Sequence, residues 1–192
     1  MLILLGGYSG TGKSTVARLL ENYYGYHRVP ICTTRPKRDK ESSDEYIFVT
    51  DKIFDVLIEN NFLIEHTEYM ASYGNVKYGT LRCLVEPTIN DTKNIYVLIV
   101  NPQSHQFYTS NYDRNMILSF VLTANENVLH QRLKIRGDSD EEICRRLEAD
   151  KKDFANISKS TYTEINTDNT KKDDIPKLIR EIIDRRHKNP GV

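Results

Sequence analysis

Short apolar runs alternate along this chain with stretches whose apolar residues recur every third or fourth position. Leu2 to Leu5, Ile95 to Val100 and Met116 to Leu122 are unbroken or nearly unbroken apolar runs. Such runs predict strands covered on both faces, as in a parallel sheet. Between them the period lengthens. One helix is predicted from about Lys13 to Tyr23, with Gly25 placed to end it as a left-handed cap. Thr50 and Asp51 open a second, with Ile53, Phe54, Leu57 and Ile58 on one face. Asn125 opens a third that reaches about Arg136, and the pair Ser139 and Glu142 has the capping-box spacing for a fourth through about Ser158. The last helix carries Ile175, Leu178, Ile179, Ile182 and Ile183 as a core-facing stripe.

Shorter strands are predicted at Val29 to Cys32, where Pro30 favours an edge, at Tyr46 to Val49, at Phe62 to Ile64 and at Tyr162 to Ile165. Tyr73-Gly74-Asn75 reads as a turn and 33–44 as a polar loop. Helices alternating with apolar strands predict an α/β fold around a parallel sheet. The polar, strand-rich stretch 32–80 reads as an insertion, which leaves 1–31 and 81–192 as the core of a single domain.

Composition narrows the range of partners. The chain has 192 residues, with 27 Lys+Arg against 27 Asp+Glu and a formal net charge of zero. A neutral surface does not suit a general nucleic-acid or membrane binder, so any positive field must be local. Cys32, Cys83 and Cys144 are far apart, with no CxxC spacing and no HExxH among the histidines. Neither a disulfide framework nor a zinc site is predicted. The first apolar run is too short for a signal peptide, and no run approaches a membrane span. A cytoplasmic protein, monomer or homodimer, is the expectation.

The candidate chemistry starts at Gly7-Tyr8-Ser9-Gly10-Thr11-Gly12-Lys13-Ser14, which sits between the first strand and the first helix. Glycines there let successive backbone N–H groups converge on one anion, and the helix start adds the positive end of its dipole. Lys13 is placed to reach the outer phosphates, and the Ser14 hydroxyl to ligate magnesium. A bound nucleoside triphosphate, ATP or a relative, is expected.

Arg35 and Arg38 lie three apart in the polar loop, with Lys37 and Lys40 beside them. Guanidinium forks suit phosphate oxygens, so the loop could clamp a second phosphorylated substrate; it could equally be a solvated charge run. Glu65 and Thr80 could read the edge of a purine, or be ordinary surface residues. Arg132, Arg136, Arg145 and Arg146 flank Gly137-Asp138-Ser139-Asp140, which suits a lid of about 134–147 over transferring phosphates. Pairing of Arg132 or Arg145 with Glu126, Glu141 or Glu142 along helix faces is the alternative there.

Together these residues resemble a guanylate kinase, a family of P-loop nucleoside monophosphate kinases. The most specific likeness is Thr33-Thr34-Arg35-Pro36-Lys37-Arg38-Asp39-Lys40-Glu41 followed by Tyr46-Ile47-Phe48-Val49. Phe62-Leu63-Ile64-Glu65, Tyr78-Gly79-Thr80, Arg136-Gly137 with Arg145-Arg146-Leu147, and Asn166-Thr167-Asp168 are similar to further blocks of that family. The resemblance implies a P-loop NTPase core with a parallel sheet and flanking helices, an inserted nucleoside-monophosphate-binding subdomain and a short lid. It also implies ATP-dependent, Mg2+-assisted phosphorylation of GMP or dGMP. On it, Gly7, Tyr8, Ser9, Gly10, Thr11, Gly12, Lys13, Ser14, Thr15 and Asn166 would bind ATP, with Ser14 on the metal. Arg35, Arg38, Tyr46 and Tyr78 would hold the GMP phosphate, Glu41 would also bind GMP, and Glu65 and Thr80 would read guanine. Lys13, Arg136 and Arg146 would stabilise the transferring phosphoryl group.

The chain departs from the family's pattern at several points. Ile31 stands where a serine is usual, the loop between Glu41 and Tyr46 is shorter, and residues around Met70 to Tyr73 are extra. Ile99 and Asn101 replace an Asp-x-Asp pair, one acid of which helps read guanine while the other lies near the metal. Those departures leave two alternatives: a nucleotide- or phosphopeptide-binding module without turnover, and a monophosphate kinase of altered base specificity.

Overall fold

The computed structural model describes residues 1–38, 45–71, 74–168 and 170–188. Strand β1 (Leu2–Gly7) is buried along its whole length, because parallel neighbours flank both its edges and helices cover both its faces. Its successive side chains point to opposite sides of the sheet. Ile3 and Leu5 pack with Val16, Ala17 and Leu20 of α1 (Lys13–Tyr24) and with Ile175, Ile179 and Ile183 of α7 (Asp174–Lys188). Leu2 and Leu4 face the other way, onto Val85 and Ile89 of α3 (Arg82–Ile89) and Tyr108 of α4 (Pro102–Asn111). Each such side chain contributes about 2 kcal/mol through burial. The unbroken apolar run in the sequence is the mark of this two-sided cover.

The large sheet has the order β2-β7-β1-β8-β9, all parallel, with β2 (His27–Val29), β7 (Tyr96–Ile99), β8 (Ile117–Thr123) and β9 (Thr163–Asn166). From β1 the chain moves outward to β2; β7 then returns to lie beside β1, and β8 pairs with its other edge. This reversal of direction opens a crevice at the carboxyl ends of β1 and β7, the usual ligand position in such sheets.

A second sheet, order β4-β3-β6-β5, is built from β3 (Ile31–Thr33), β4 (Tyr46–Phe48), β5 (Leu63–Ala71) and β6 (Gly74–Leu81). It is mixed: β3 runs parallel to β4 and antiparallel to β6, which pairs with β5 in a long hairpin. Helix α2 (Asp51–Glu59) buries Phe54 against Cys32 and Leu63 to give this sheet its own small core. Thr50 caps α2, its Oγ1 accepting the Ile53 N–H at 3.3 Å.

Three differences from the sequence expectations have plain causes. The single strand expected at Val29 to Cys32 is two strands in different sheets, divided at Pro30, which has no N–H for a ladder. Ile53 is 50% exposed rather than inward, since the small sheet offers α2 room for one large aromatic, Phe54. Helices α3 and α4 were not anticipated. Pro87 obscures the helical pattern of α3, whereas Asn101-Pro102 at the head of α4 carries a cap-plus-proline start signal. No helix among the described residues is long and apolar enough to cross a membrane.

Candidate active site

The loop between β1 and α1 curls because three of its glycines take positive φ, Gly7 at 143°, Gly10 at 86° and Gly12 at 91°. At Gly7 the packing is decisive as well: a Cβ there would lie 2.5 Å from the Leu122 carbonyl oxygen. Gly12 is the left-handed N-cap of α1, so the free N–H groups of the helix's first turn face the concavity. Lys13 folds back over the loop, its Nζ donating to the carbonyls of Gly7 at 2.7 Å and Tyr8 at 3.1 Å. Burial lowers the Lys13 pKa, while the Asp150 carboxylate acts to raise it.

Asp150 comes from α6 (Asp140–Ala155) and reaches into this cradle. The Ser9 N–H donates to its Oδ2 at 2.6 Å. A carboxylate thus takes one of the backbone donors that would otherwise meet a phosphate oxygen. At the other end of the loop the Ser14 hydroxyl contacts the Glu45 carboxylate.

The same cleft, about 450 Å³, extends from the loop to the small sheet. Gly7, Ser9, Gly10, Gly12, Lys13, Ser14 and Thr15 line one part of it, and Arg35, Arg38, Tyr46, Glu65 and Tyr78 another. Arg35 is only 3% exposed. Its guanidinium lies over the rings of Tyr46, at 4.8 Å, and Phe48, at 5.4 Å, and donates to the Pro36 carbonyl at 2.8 Å. Aromatic faces and a backbone oxygen hold the cation's plane in place in low-dielectric surroundings. Glu65 is held at both oxygens: Thr80 Oγ1 donates to Oε1 and Ser104 Oγ to Oε2, each at 2.5 Å.

Over the loop stand α5 (Glu126–Arg136) and α6, joined at Gly137, the left-handed cap of α5. Leu129 and Leu133 pack on Ile143 and Leu147 to fix their angle. Arg136 and Arg146 both line the cleft. Arg136 is held by Asp138 and Arg146 by Glu142, whose Oε1 accepts from Nε at 2.7 Å. Ser139 caps α6 as expected, its Oγ accepting the Glu142 N–H at 3.3 Å, but the Glu142 side chain turns to the arginines instead of completing the box. Hydrogen bonds from Arg145 lower the Glu142 pKa to about 2, so it stays charged at neutral pH. Arg145 also reaches across to the small sheet, donating to the Met70 carbonyl at 2.7 Å. A second bridge joins Tyr69 to α4, its hydroxyl donating to Gln103 Oε1 at 2.7 Å. Arg132 pairs with none of the glutamates considered for it; it donates to Thr167 Oγ1 and to the Thr167 carbonyl, each at 2.9 Å.

The remaining sequence candidates lie elsewhere. Tyr8 and Thr11 belong to the loop without lining the cleft, and Thr11 Oγ1 donates to the Tyr8 carbonyl at 2.7 Å. Asn166 ends β9 away from the lining, its Oδ1 accepting the Asp168 N–H at 2.8 Å. Thr80 is 1% exposed and sits behind Glu65. Glu41 lies outside the described residues. Asp150, Ser104 and Glu45 were not singled out by sequence reasoning. Their roles come from contacts 141, 39 and 31 residues apart, which no local pattern records.

Comparison with known proteins agrees with this geometry. The family model described as guanylate kinase matches residues 1–186. The guanylate kinase of Mycoplasmoides gallisepticum is 36% identical over 186 residues, covering 95% of this chain and 89% of that protein. That of Helicobacter pylori strain 26695 is 30% identical over 190 residues, covering 97% and 89%. Among solved structures, guanylate kinase from Anaplasma phagocytophilum superposes with a TM-score of 0.72 at 22% identity, covering 97% of this chain and 85% of the other; it bears on the fold alone.

Proposed function

The chain belongs to the guanylate kinase family and is a guanylate kinase-like nucleoside monophosphate kinase, and we propose that its reaction is transfer of the γ-phosphoryl group of ATP to GMP or dGMP. The observation that carries this reading is the single cleft lined by both the phosphate loop and the Arg35, Arg38 and Glu65 group. A donor and an acceptor can lie in it with their phosphates facing one another, which is the positioning that phosphoryl transfer needs most.

In this reading the backbone N–H groups of Ser9 to Ser14 and the Lys13 ammonium hold the donor phosphates, Lys13 turning from its own loop carbonyls to the phosphate oxygens. Arg35, Arg38, Tyr46 and Tyr78 hold the acceptor phosphate, and Glu65 accepts N–H groups of the guanine. Arg136 and Arg146, aimed into the cleft by Asp138 and Glu142, meet the charge that spreads over the transferring group. No protein base is required, because a phosphate monoester is already ionised at neutral pH. The residues 32–80 serve as the acceptor-binding subdomain, and 134–147 as the lid that keeps water out.

ATP-dependent transfer implies Mg2+, and the residues present fit it. Ser14 Oγ and the Glu45 carboxylate are hard oxygen donors in contact at the loop. Among the described residues no three His, Cys, Asp or Glu side chains form a metal cage, so Ser14 and Glu45 would hold the ion together with ligands from outside the protein. Held there, Mg2+ would supply charge neutralisation for the transferring group.

A coupled assay with ATP, Mg2+ and a panel of nucleoside monophosphates tests the proposal. ADP formation with GMP and dGMP in clear preference to AMP, UMP and CMP is the expected result. No ADP with any acceptor overturns the reaction, and preference for AMP or UMP overturns the guanine assignment alone.

A further inference from the structure

A second cavity, of about 480 Å³, opens at the other end of the large sheet. It lies where β8 and β9 begin, at Ile117 and Thr163, and where α4 and α7 end. The cleft stands at the carboxyl ends of the strands, so the two are separate. Arg114, Arg185 and Arg186 line this cavity, and none of the described residues lining it is acidic. In a chain of formal net charge zero, that is a local positive field. Arg185 pairs with Glu181 at 3.6 Å, and both are exposed. Arg186 donates to the Arg114 carbonyl and so ties α7 to the loop before β8. The Arg114 guanidinium itself has no hydrogen bond or ion pair among the described residues.

Ser119 of β8 lines the cavity although it is only 5% exposed. Its Oγ lies 2.8 Å from Nε2 of His105, a buried residue of α4. Burial lowers the His105 pKa to about 4, so near pH 7 the ring is neutral and carries one N–H. The His105 Nδ1 has no hydrogen-bond partner. Buried N–H groups are seldom left unpaired, which assigns the proton to Nε2, with Ser119 Oγ accepting it. The Ser119 O–H is then uncommitted, with no other partner among the described residues, beside three cations. The hydroxyls of Tyr162 and Thr163 also line the cavity and make no hydrogen bond among the described residues.

We propose that this cavity is a binding site for a small organic phosphate, separate from the nucleotide cleft. The forked guanidinium of Arg114 takes phosphate oxygens, and the Ser119, Tyr162 and Thr163 hydroxyls supply further donors. No acid of the lining opposes the anion. Ile117 and Leu118 add an apolar wall, which an organic body covers and a bare phosphate leaves unused. The inference does not depend on what the cleft binds.

Amide NMR of the full chain, titrated with phenyl phosphate and with inorganic phosphate, tests this, because cleft and cavity report separately. Phenyl phosphate is expected to shift the Ser119 and Thr163 signals saturably and to bind there about fivefold tighter than inorganic phosphate. Arg114→Ala is expected to weaken that binding about tenfold, as for a lost charge-assisted contact, with any shifts at Gly12 and Lys13 as in the wild type. Arg18→Ala removes the same charge from an exposed position on α1 and is expected to leave the binding unchanged. A thermal melt checks that both variants remain folded. No saturable shift at Ser119 and Thr163, or no loss in Arg114→Ala, overturns the site. Equal losses in Arg114→Ala and Arg18→Ala overturn it too, since net charge alone then accounts for the binding. Equal affinity for the two probes overturns the organic body.

Discussion

The two ends of the cleft are made in different ways. The donor end is mostly backbone: nine consecutive residues, Gly7 to Thr15, shaped by positive-φ glycines and by the start of one helix. The acceptor end is mostly side chains, drawn from the loop after β3, from β4, β5 and β6, and from α4. A backbone cradle keeps its shape under most side-chain changes and recognises any phosphate. A side-chain pocket can be altered one group at a time. On the proposed reading the donor end would therefore fix the chemistry, while the acceptor end is where specificity can change.

The contrast is broken most severely at Lys13. Although the donor end is largely backbone, this one side chain is proposed to meet the transferring charge. Lys13→Ala is expected to lower turnover roughly a thousandfold while the melting temperature stays close to wild type. Steady-state rates alongside a thermal melt decide it, and near-normal turnover would remove the loop from catalysis.

The acceptor end gives a smaller and more selective effect. Arg38→Ala is expected to raise the apparent KM for GMP about thirtyfold, as for a lost charge-assisted pair, with little change for ATP. Equal changes for both substrates would mean that the two ends do not act separately.

The smallest effect has the opposite sign. Asp150 occupies a donor of the phosphate cradle, so Asp150→Ala should tighten ATP binding about fivefold, the worth of one displaced hydrogen bond. Weaker ATP binding in calorimetry would show instead that the carboxylate works with the nucleotide.

The same division explains what could be read from the sequence. The shape of the glycine-rich loop was legible because it is local: the spacing of Gly7, Gly12, Lys13 and Ser14 sets the turn from β1 into α1, although Tyr8 and Thr11 do not line the cleft. The large sheet was legible from β1, β7 and β8, whose cover on both faces leaves an unbroken apolar run. At the acceptor end residue type and spacing marked Arg35, Arg38 and Glu65 but left each with an ordinary surface alternative, and the resemblance chose between them. Neither resemblance nor pattern marked Ser104, because its contact with Glu65 depends on α4 standing against β5. Asp150 was hidden in the same way, as one acid on an amphipathic helix until α6 is folded over the loop. The split of Val29 to Cys32 between two sheets was invisible because each half-strand is only three residues long.

The contact between Arg145 and the Met70 carbonyl has a kinetic meaning. It joins the α5–α6 unit to the long β5–β6 hairpin, so on the proposed reading it would act as a latch across the mouth of the cleft. A single exposed hydrogen bond is worth about 1 kcal/mol, enough to shift the ratio of shut to open about fivefold. That is too little to lock the molecule and enough to lengthen each visit of a bound nucleotide. On that reading the contact at Met70 would bear on dwell time rather than chemistry.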